Sequence, residues 1–237
     1  MKIVVTGGAG FIGSFLVDAL IEKRHVVRIL DNLEDQVHHG VIPKYLNPKA
    51  EFVQGDVCNL ETVKSALTGM EVVMHCASAV GVGQSQYQIK KYTDVNAGGM
   101  ANVLQCVIAE GSTVKQVLLP TSMTSYGEGS YLCTLHGTVR PGLRPMDQVE
   151  RGEWEPKCPT CKKPMQPVPT DETQFRESAS IYELSKNIQE DMLMNISKTY
   201  GFSATAFRLF NVFGPRQSLS NPYTGVTATA TGDNSNP

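Results

Sequence analysis

The chain has 237 residues, of which 41% are hydrophobic, and a formal net charge of −2 at pH 7, so it can bury the core of one large domain. This charge gives no general attraction to nucleic acid or to an anionic membrane, and no run of about 18 apolar residues predicts a membrane span. Without a charged and then apolar leader, we expect no signal peptide, a cytoplasmic location, and six cysteines present as thiols or metal ligands.

Strand-like and helix-like segments alternate along the chain. Short runs of β-branched and apolar residues predict strands at 2–6, 26–31, 51–55, 72–77, 115–121 and 203–210. Helical spacing of apolar residues predicts helices at 11–23, 60–67, roughly 88–110 and 181–200. Because such alternation requires right-handed crossovers, we expect an α/β fold with a doubly wound, mostly parallel sheet. His75, in the fourth strand, is predicted to be a packed residue rather than a catalyst.

A glycine-rich turn with the sequence TGGAGFIG, residues 6–13, follows the first predicted strand and opens the first helix. Gly7 suits the tight turn, Gly10 lets a pyrophosphate approach the backbone, and Gly13 lets the helix pack against the strand. The pyrophosphate would bind the N–H groups at the helix N-terminus, where the macrodipole favours an anion. The pattern therefore predicts a dinucleotide site.

Acidic residues end the second and third predicted strands. Asp31 lies where a carboxylate accepts hydrogen bonds from the adenosine ribose and repels a 2′-phosphate, which favours NAD over NADP. The alternative is that Asp31 only opens a turn with Asn32. Asp56 lies where its side chain would reach the adenine amine.

Tyr182 and Lys186 are four residues apart in the last predicted helix and so share one face. A tyrosine with a pKa of about 10 is a poor base at neutral pH, but a nearby Lys186 cation and an oxidised nicotinamide would both lower that pKa. Ser122, at the carboxyl end of its strand, would bond the same substrate oxygen and relay or orient its proton. On its own, the pair would indicate only an amphipathic helix with an exposed lysine.

These motifs together resemble the extended short-chain dehydrogenases, the family of NAD-dependent nucleotide-sugar epimerases and dehydratases. The resemblance covers about 1–225, with a break near 130–170, and also involves Tyr126, Gly127 and the segment 211–217. It implies a Rossmann domain, tightly held NAD and a nucleoside-diphosphate sugar substrate.

The resemblance also implies roles for individual residues. The implied catalytic residues are Ser122, Tyr182 and Lys186, and the implied substrate-binding residues are Ser122, Thr124 and Asn211. The implied cofactor-binding residues are Gly7, Gly10, Phe11, Ile12, Gly13, Asp31, Asn32, Asp56, Val57, Ala77, Ser78, Asn96, Tyr182 and Lys186. Within these sets, Asn96 would support the active-site lysine through the helix backbone, and Asn211 would lie near the substrate phosphates.

The reaction type follows from two positions beside Ser122. The family's 4,6-dehydratases have an acidic pair there, whereas this chain has Met123 and Thr124, which cannot serve as acid and base at neutral pH. The resemblance therefore implies 4-epimerisation, in which hydride leaves C4 to NAD and returns to the opposite face. Finer similarity at 31–38, 80–85 and 217–225 is to the dTDP-L-rhamnose 4-epimerase group, which implies a dTDP-6-deoxyhexose substrate.

A polar, proline-rich insert between Gly129 and Thr170 carries two closely spaced pairs of possible metal ligands. The pairs are Cys133 with His136 and Cys158 with Cys161. Three thiolates and one imidazole at this spacing are typical of a structural zinc knuckle, and a metal would order a segment that has almost no apolar periodicity. The alternative is a flexible loop with incidental cysteines. A catalytic zinc is disfavoured because four protein ligands leave no open position.

We expect four segments in the chain. These are the first part of the NAD-binding domain at 1–129, the insert at 130–170, the continuation with the catalytic helix at 171–226, and a disordered or foreign polar tail at 227–237. Extended family members are usually longer, so a truncated C-terminal substrate domain is expected. The alternatives to an epimerase are a nucleotide-sugar 4-reductase or dehydrogenase and an inactive NAD-binding fragment. The resemblance further implies a homodimer formed through the helices near 88–110 and 181–200.

Overall fold

The structure, a computed structural model that describes residues 1–218, is built on a six-stranded parallel sheet. Within this part of the chain the strands are β1 (Lys2–Thr6), β2 (Val26–Asp31), β3 (Glu51–Gln54), β4 (Val72–His75), β5 (Gln116–Ser122), β6 (Ser130–Cys133), β7 (Gly137–Val139), β8 (Gln166–Val168) and β9 (Ser203–Leu209). The helices there are α1 (Phe11–Glu22), α2 (Asp35–His38), α3 (Leu60–Leu67), α4 (Val82–Ser85), α5 (Ile89–Tyr92), α6 (Gly99–Val107), α7 (Met146–Glu150) and α8 (Ile181–Tyr200).

The strand order of the main sheet is β3-β2-β1-β4-β5-β9, and every neighbouring pair is parallel. The predicted doubly wound α/β fold is therefore confirmed, with all six predicted strands present. The strand order reverses between β1 and β4, so the loops that follow these two strands diverge to opposite faces and leave a crevice between them. Thr6, Asp31, His75 and Ser122, which end four of the strands, lie at this edge of the sheet.

Both faces of the sheet are covered by helices, which is why its strands contain continuous apolar runs. Successive side chains of β1 point to opposite faces: Val4 joins the core cluster beneath α3, α6 and α8, whereas Ile3 and Val5 join the cluster beneath α1. All three are at most 2% exposed, and each such burial contributes roughly 1.5–3 kcal/mol. This packing fixes the strand ends that form the crevice.

Three of the four predicted helices are α1, α3 and α8, and the fourth is interrupted. The helix predicted near 88–110 consists of α5, a π-helical segment at Thr93–Gly98, and α6. A π-helical turn carries an extra residue per turn and is frequent at functional sites. Its effect here is to turn Asn96 inward, where the side chain is fully buried.

The ends of α8 are set by local sequence. Ser180 Oγ accepts a hydrogen bond from the Glu183 N–H at 3.2 Å, and Glu183 Oε2 accepts one from the Ser180 N–H at 3.0 Å, which forms a capping box. Gly201 ends the helix in the left-handed conformation, with φ of 76°. These two signals fix where Tyr182 and Lys186 lie on the helix.

The insert forms a separate three-stranded antiparallel sheet in the order β7-β6-β8. The chain segments that enter and leave the insert lie side by side, because the Glu177 N–H donates to the Ser125 carbonyl at 2.9 Å. No helix within residues 1–218 has the length and apolar character needed to cross a membrane. The tail predicted at 227–237 lies outside the described residues.

Candidate active site

A cavity of about 560 Å³ lies at the carboxyl edge of the main sheet, within the usual size range of small-molecule sites. It brings together nearly all the residues that the sequence predicted for cofactor, substrate and catalysis. Those lining it are Gly7, Gly10, Phe11, Ile12, Gly13, Asp31, Asn32, Asp56, Val57, Ala77, Ser78, Ser122, Thr124, Tyr182, Lys186 and Asn211. Asn96 is not among the lining residues and is buried beneath the cavity wall.

The glycine-rich turn forms one wall of this cavity. Gly7 has a φ of +67°, and a Cβ there would lie 2.7 Å from the Ala77 nitrogen, so only glycine lets the loop approach the end of β4. Gly10 occupies the N-cap position of α1 and supplies no side-chain cap. The N–H groups of the first turn are therefore available to an anion in the cavity. This cradle fits the pyrophosphate of a dinucleotide.

Asp31, one of the acidic residues predicted for the adenosine end, already accepts hydrogen bonds from backbone N–H groups. Asp31 Oδ2 accepts a hydrogen bond from the Ala9 N–H at 3.0 Å, and Oδ1 accepts one from the Leu33 N–H at 2.9 Å. The second bond is the local turn that was the alternative to ribose binding. Each carboxylate oxygen can accept a further hydrogen bond, so the turn and a ribose contact are compatible. Asn32 Nδ2 donates to Asp56 Oδ2 at 3.1 Å and orients that carboxylate beside the cavity.

The three predicted catalytic side chains meet on the opposite side of the cavity. The Tyr182 hydroxyl lies near Ser122, whose side chain acts to lower the pKa of that tyrosine. Thr124 donates to Ser122 Oγ from its hydroxyl at 2.9 Å and from its N–H at 3.3 Å. Because Ser122 Oγ accepts both of these bonds, its own proton is free to donate toward Tyr182. The geometry gives Thr124, predicted as a substrate residue, a second role in orienting Ser122.

The predicted lowering of the Tyr182 pKa concerns the protein with its cofactor bound and stays a prediction. In the chain itself, burial raises the pKa of Tyr182 above its usual value, and the nearby Ser122 hydroxyl offsets this rise only in part. Lys186 Nζ donates instead to the Pro120 carbonyl at 2.9 Å and reaches Ser78 Oγ at 3.5 Å. Burial lowers the pKa of Lys186 to about 8. The positive charge of an oxidised cofactor bound nearby would then lower the pKa of Tyr182.

The side chain of Asn96 connects the cavity wall to the catalytic helix. Its Oδ1 accepts from the Ala79 N–H at 2.8 Å and from Ser78 Oγ at 3.0 Å, and its Nδ2 donates to the Ala79 carbonyl at 3.1 Å and to Ser185 Oγ at 2.8 Å. The side chain thus ties the loop after β4 to α8, directly beside Lys186. These contacts orient Ser78, a neighbour of the Lys186 ammonium, and the implied support of the lysine through the helix backbone stays a prediction.

Sequence reasoning missed a polar bridge at the mouth of the cavity. Gln84 Nε2 donates to Gln36 Oε1 at 3.1 Å, and Lys91 Nζ forms an ion pair with Glu34 Oε1 at 2.6 Å. These contacts connect α2 to the α4–α5 region across the adenosine end. The pairing depends on two loops far apart in sequence, and no spacing signals it. The bond from Lys186 to the Pro120 carbonyl was also missed, because every residue has a backbone carbonyl and no residue type marks the one that is used.

His75 is a packed residue, as its strand position predicted. It is 1% exposed, its Nδ1 lies 2.8 Å from Thr6 Oγ1, and it does not line the cavity. Burial, reinforced by the nearby Lys186 cation, lowers the pKa of His75 to about 3. The imidazole is therefore neutral in the folded protein at neutral pH.

This burial predicts that stability falls as pH is lowered from 6.5 toward 3. The unfolded chain takes up the His75 proton near pH 6.5 and the folded chain does not, so the group's contribution is complete above 6.5 and declines by about 1.4 kcal/mol per pH unit below it. We expect His75→Gln to show a shallower loss of unfolding free energy between pH 6.5 and 5, measured by urea denaturation. Equal slopes in the two proteins would contradict the prediction.

The predicted metal ligands also converge, in the insert rather than at the cavity. One ligand atom from each of Cys133, His136, Cys158 and Cys161 can be chosen so that all four lie within 4.8 Å of one another. Cys133 Sγ is 3.6 Å from Cys161 Sγ and 3.5 Å from His136 Nδ1, and Cys158 Sγ is 3.5 Å from the same nitrogen. The two ligand pairs of the sequence therefore form one cluster.

The model of the NAD-dependent epimerase/dehydratase family matches residues 3–143 and 156–232. The chain belongs to this family. The match is interrupted only inside the insert, and it includes both the glycine-rich turn and the helix that carries Tyr182 and Lys186.

Several named relatives are sugar-nucleotide epimerases. The chain is 35% identical to a dTDP-L-rhamnose 4-epimerase of Burkholderia thailandensis, over 96% of this chain and 62% of that protein. It is 32% identical to a putative UDP-glucose 4-epimerase of Methanocaldococcus jannaschii, over 91% of this chain and 57% of that protein. The chain thus spans about three fifths of the length of these relatives.

Solved structures of family members share the fold. The UDP-glucose 4-epimerase of Thermotoga maritima with UDP-glucose superimposes with a TM-score of 0.75 at 29% identity, over 98% of this chain and 62% of that one. A UDP-N-acetylglucosamine 4-epimerase of Methanobrevibacter ruminantium, in complex with UDP-N-acetylmuramic acid, gives a TM-score of 0.71 at 26% identity, over 96% of this chain and 60% of that one.

Proposed function

We propose that the protein is an NAD-dependent nucleotide-sugar 4-epimerase that acts on a dTDP-6-deoxyhexose such as dTDP-L-rhamnose. The observation that carries the proposal is the arrangement of Ser122, Tyr182 and Lys186 on a cavity whose other wall is the glycine-rich cradle. Family membership supports the cofactor and the reaction class. The 35% identity to a dTDP-L-rhamnose 4-epimerase supports the sugar.

Each catalytic side chain has a defined task in this reaction. Held by the glycine-rich turn and Asp31, NAD would supply the acceptor for the hydride at C4 of the sugar and its later donor. Tyr182 removes the proton of the 4-hydroxyl and gives it back, and Ser122 donates a hydrogen bond to the same oxygen. Lys186 places a cation on the side of the cavity where the phenolate forms, which favours the charged tyrosine. The glycine-rich turn and Asp31 bind the pyrophosphate and the ribose.

The cavity supports epimerisation over dehydration. Elimination of water from the sugar needs an additional acid and base near Ser122, and those positions hold Met123 and Thr124. Epimerisation needs only the three catalytic groups, because the same tyrosine serves as base and then as acid. Asp31 at the adenosine end supports NAD rather than NADP.

The proposal includes a second cofactor, a partner copy and a location. A structural zinc ion is held by the cluster in the insert. A homodimer through the helices around α6 and α8 is supported by exposed apolar side chains at Tyr87, Ile89 and Leu184. A cytoplasmic location is supported by six cysteines, none of which forms a disulfide.

The test is incubation of the purified protein with dTDP-L-rhamnose and catalytic NAD⁺, followed by NMR of the H4 coupling. We expect the 4-epimer to appear without net formation or consumption of NADH. Stoichiometric use of the reduced cofactor would indicate a reductase or dehydrogenase instead. Conversion of UDP-glucose but not of the deoxysugar would overturn the substrate. Bound NAD with neither sugar converted would identify an NAD-binding fragment.

A further inference from the structure

The insert lacks the apolar core that holds the rest of the protein together. Neither core cluster of the described residues includes any residue between 120 and 191. Several large apolar side chains of the insert face solvent instead, among them Leu135 at 61% and Trp154 at 62% exposure. A unit of this size without a core needs another source of stability.

Two of the buried side chains of the insert are thiols. Cys133 is 1% exposed and Cys158 is fully buried, although Leu132, Thr134 and Pro159 beside them are exposed. These two residues belong to the Cys133, His136, Cys158 and Cys161 cluster. The insert is therefore organised around sulfur rather than around hydrocarbon.

Each ligand pair lies on a tight turn of the backbone. Cys133 ends β6 and pairs with Gly137 at the start of β7, so that His136 lies in the connecting turn. In the second pair, the Cys158 N–H donates to the Lys163 carbonyl and the Lys162 N–H donates to the Cys158 carbonyl, both at 2.9 Å. Lys162 adopts a left-handed conformation with φ of 61° to close this turn.

Backbone N–H groups in both turns point at the sulfur atoms. Leu135 and His136 donate to Cys133, and Thr160 and Cys161 donate to Cys158. Lys163 donates to Cys161. Such bonds stabilise thiolates and orient metal ligands. A flexible loop with incidental cysteines would not be expected to direct five backbone N–H groups at three sulfur atoms.

Three of the six distances between the ligand atoms match a tetrahedral zinc site, and all six are within 4.8 Å. Zn–S bonds of about 2.3 Å and a Zn–N bond of about 2.0–2.1 Å place two sulfurs roughly 3.8 Å apart and a nitrogen about 3.6 Å from each sulfur. The Cys133–Cys161 sulfur separation is 3.6 Å, and His136 Nδ1 is 3.5 Å from two sulfurs. A disulfide would need sulfurs about 2.05 Å apart. The ligand set, with three thiolates and one imidazole, favours zinc over calcium or magnesium.

We propose that Cys133, His136, Cys158 and Cys161 bind one structural Zn²⁺ that folds the insert and braces the loop after Ser122. Four protein ligands complete the tetrahedron and leave no position for substrate. The ion replaces the missing core of the insert, because it joins two turns that are separated by more than 20 residues of chain.

The folded insert contacts the segment that follows Ser122. Arg140 Nη2 donates to the Tyr126 carbonyl at 3.2 Å, and Arg144 Nη2 forms an ion pair with Glu128 Oε1 at 3.1 Å. The Ser130 N–H donates to Thr170 Oγ1 at 3.2 Å. These contacts connect both halves of the insert to residues 126–130. The ion therefore stabilises the loop that follows Ser122 and takes no part in the chemistry.

The first test measures metal content in protein purified without a chelator or an affinity tag that binds metal. We expect about one equivalent of zinc per chain by mass spectrometry. Cys158→Ser and Cys161→Ser should lose most of this zinc, whereas Cys58→Ser, a matched change at an exposed cysteine outside the cluster, should retain it. Absence of zinc from the wild-type protein, equal zinc in all variants, or iron in its place would overturn the proposal.

A second test needs no variant that must fold without its metal. With the native wild-type protein, an aromatic disulfide reagent should modify three additional thiols only after a strong chelator is added. The chain has a single tryptophan, Trp154, within the insert, so its fluorescence reports on this unit alone. We expect the emission to shift on chelation and to recover with Zn²⁺ but not with Mg²⁺. An unchanged emission, or a Cys133–Cys161 disulfide in the non-reduced protein, would contradict the proposal.

Discussion

Replacement of Tyr182 with phenylalanine is expected to lower turnover by about 10²–10⁴-fold, the usual contribution of a positioned acid–base group. The substitution removes only the hydroxyl. The ring packs edge-on against Tyr92, with centroids 6.3 Å apart, and phenylalanine preserves that contact. Stability and NAD affinity should therefore change little, and the loss should appear in kcat. The measurement is the rate of sugar epimerisation together with NAD binding by calorimetry.

Tyr200→Phe is the matched control, because Tyr200 ends the same helix and is 58% exposed. It should keep wild-type turnover. A Tyr182→Phe protein that also kept full turnover would show that another group moves the proton. If Tyr182→Phe lost NAD binding as well, the loss of activity would report on cofactor binding and not on proton transfer.

Most of the fold was predictable because its signals are local. The β-branched and apolar runs predicted the six strands of the main sheet, of which the four central strands, β1, β2, β4 and β5, are largely buried. The bounds of α8 followed from Ser180, Glu183 and Gly201, whose side chains or backbone conformations end the helix by themselves. The π-helical segment was not predictable, because the apolar pattern near 88–110 continues across it with no residue that marks the extra turn.

The candidate site was predictable as a set of residues but not as a network. The glycine-rich turn, the Ser122 and Tyr182 positions and the Cys/His spacing are patterns along the chain, and the structure brings each set together. The burial that raises the pKa of Tyr182 in the chain itself could not be predicted, because burial depends on how elements distant in sequence pack around the side chain. The bond from Lys186 to the Pro120 carbonyl depends likewise on tertiary packing, which no spacing encodes.

Gly13 is the second position at which a small substitution should have a large effect, because α1 lies close to the glycine-rich turn there. A Cβ at Gly13 would lie 2.1 Å from the Gly7 carbonyl oxygen and 2.8 Å from Gly8 Cα. Both neighbours are backbone atoms, so no flexible side chain can move aside. The helix would have to shift away from the turn, and its first N–H groups would move with it.

Gly13→Ala is therefore expected to lower both stability and NAD affinity. Overpacking of this kind costs about 1–3 kcal/mol or more, and loss of even one hydrogen bond to the charged pyrophosphate would weaken NAD binding by at least about tenfold. Urea denaturation and calorimetric titration with NAD measure the two effects separately. Gly142→Ala is the control, because a Cβ there meets no atom within 4 Å, and it should stay within about 0.5 kcal/mol of wild type. If Gly13→Ala bound NAD as tightly as Gly142→Ala, the N-terminus of α1 would not be where the pyrophosphate binds.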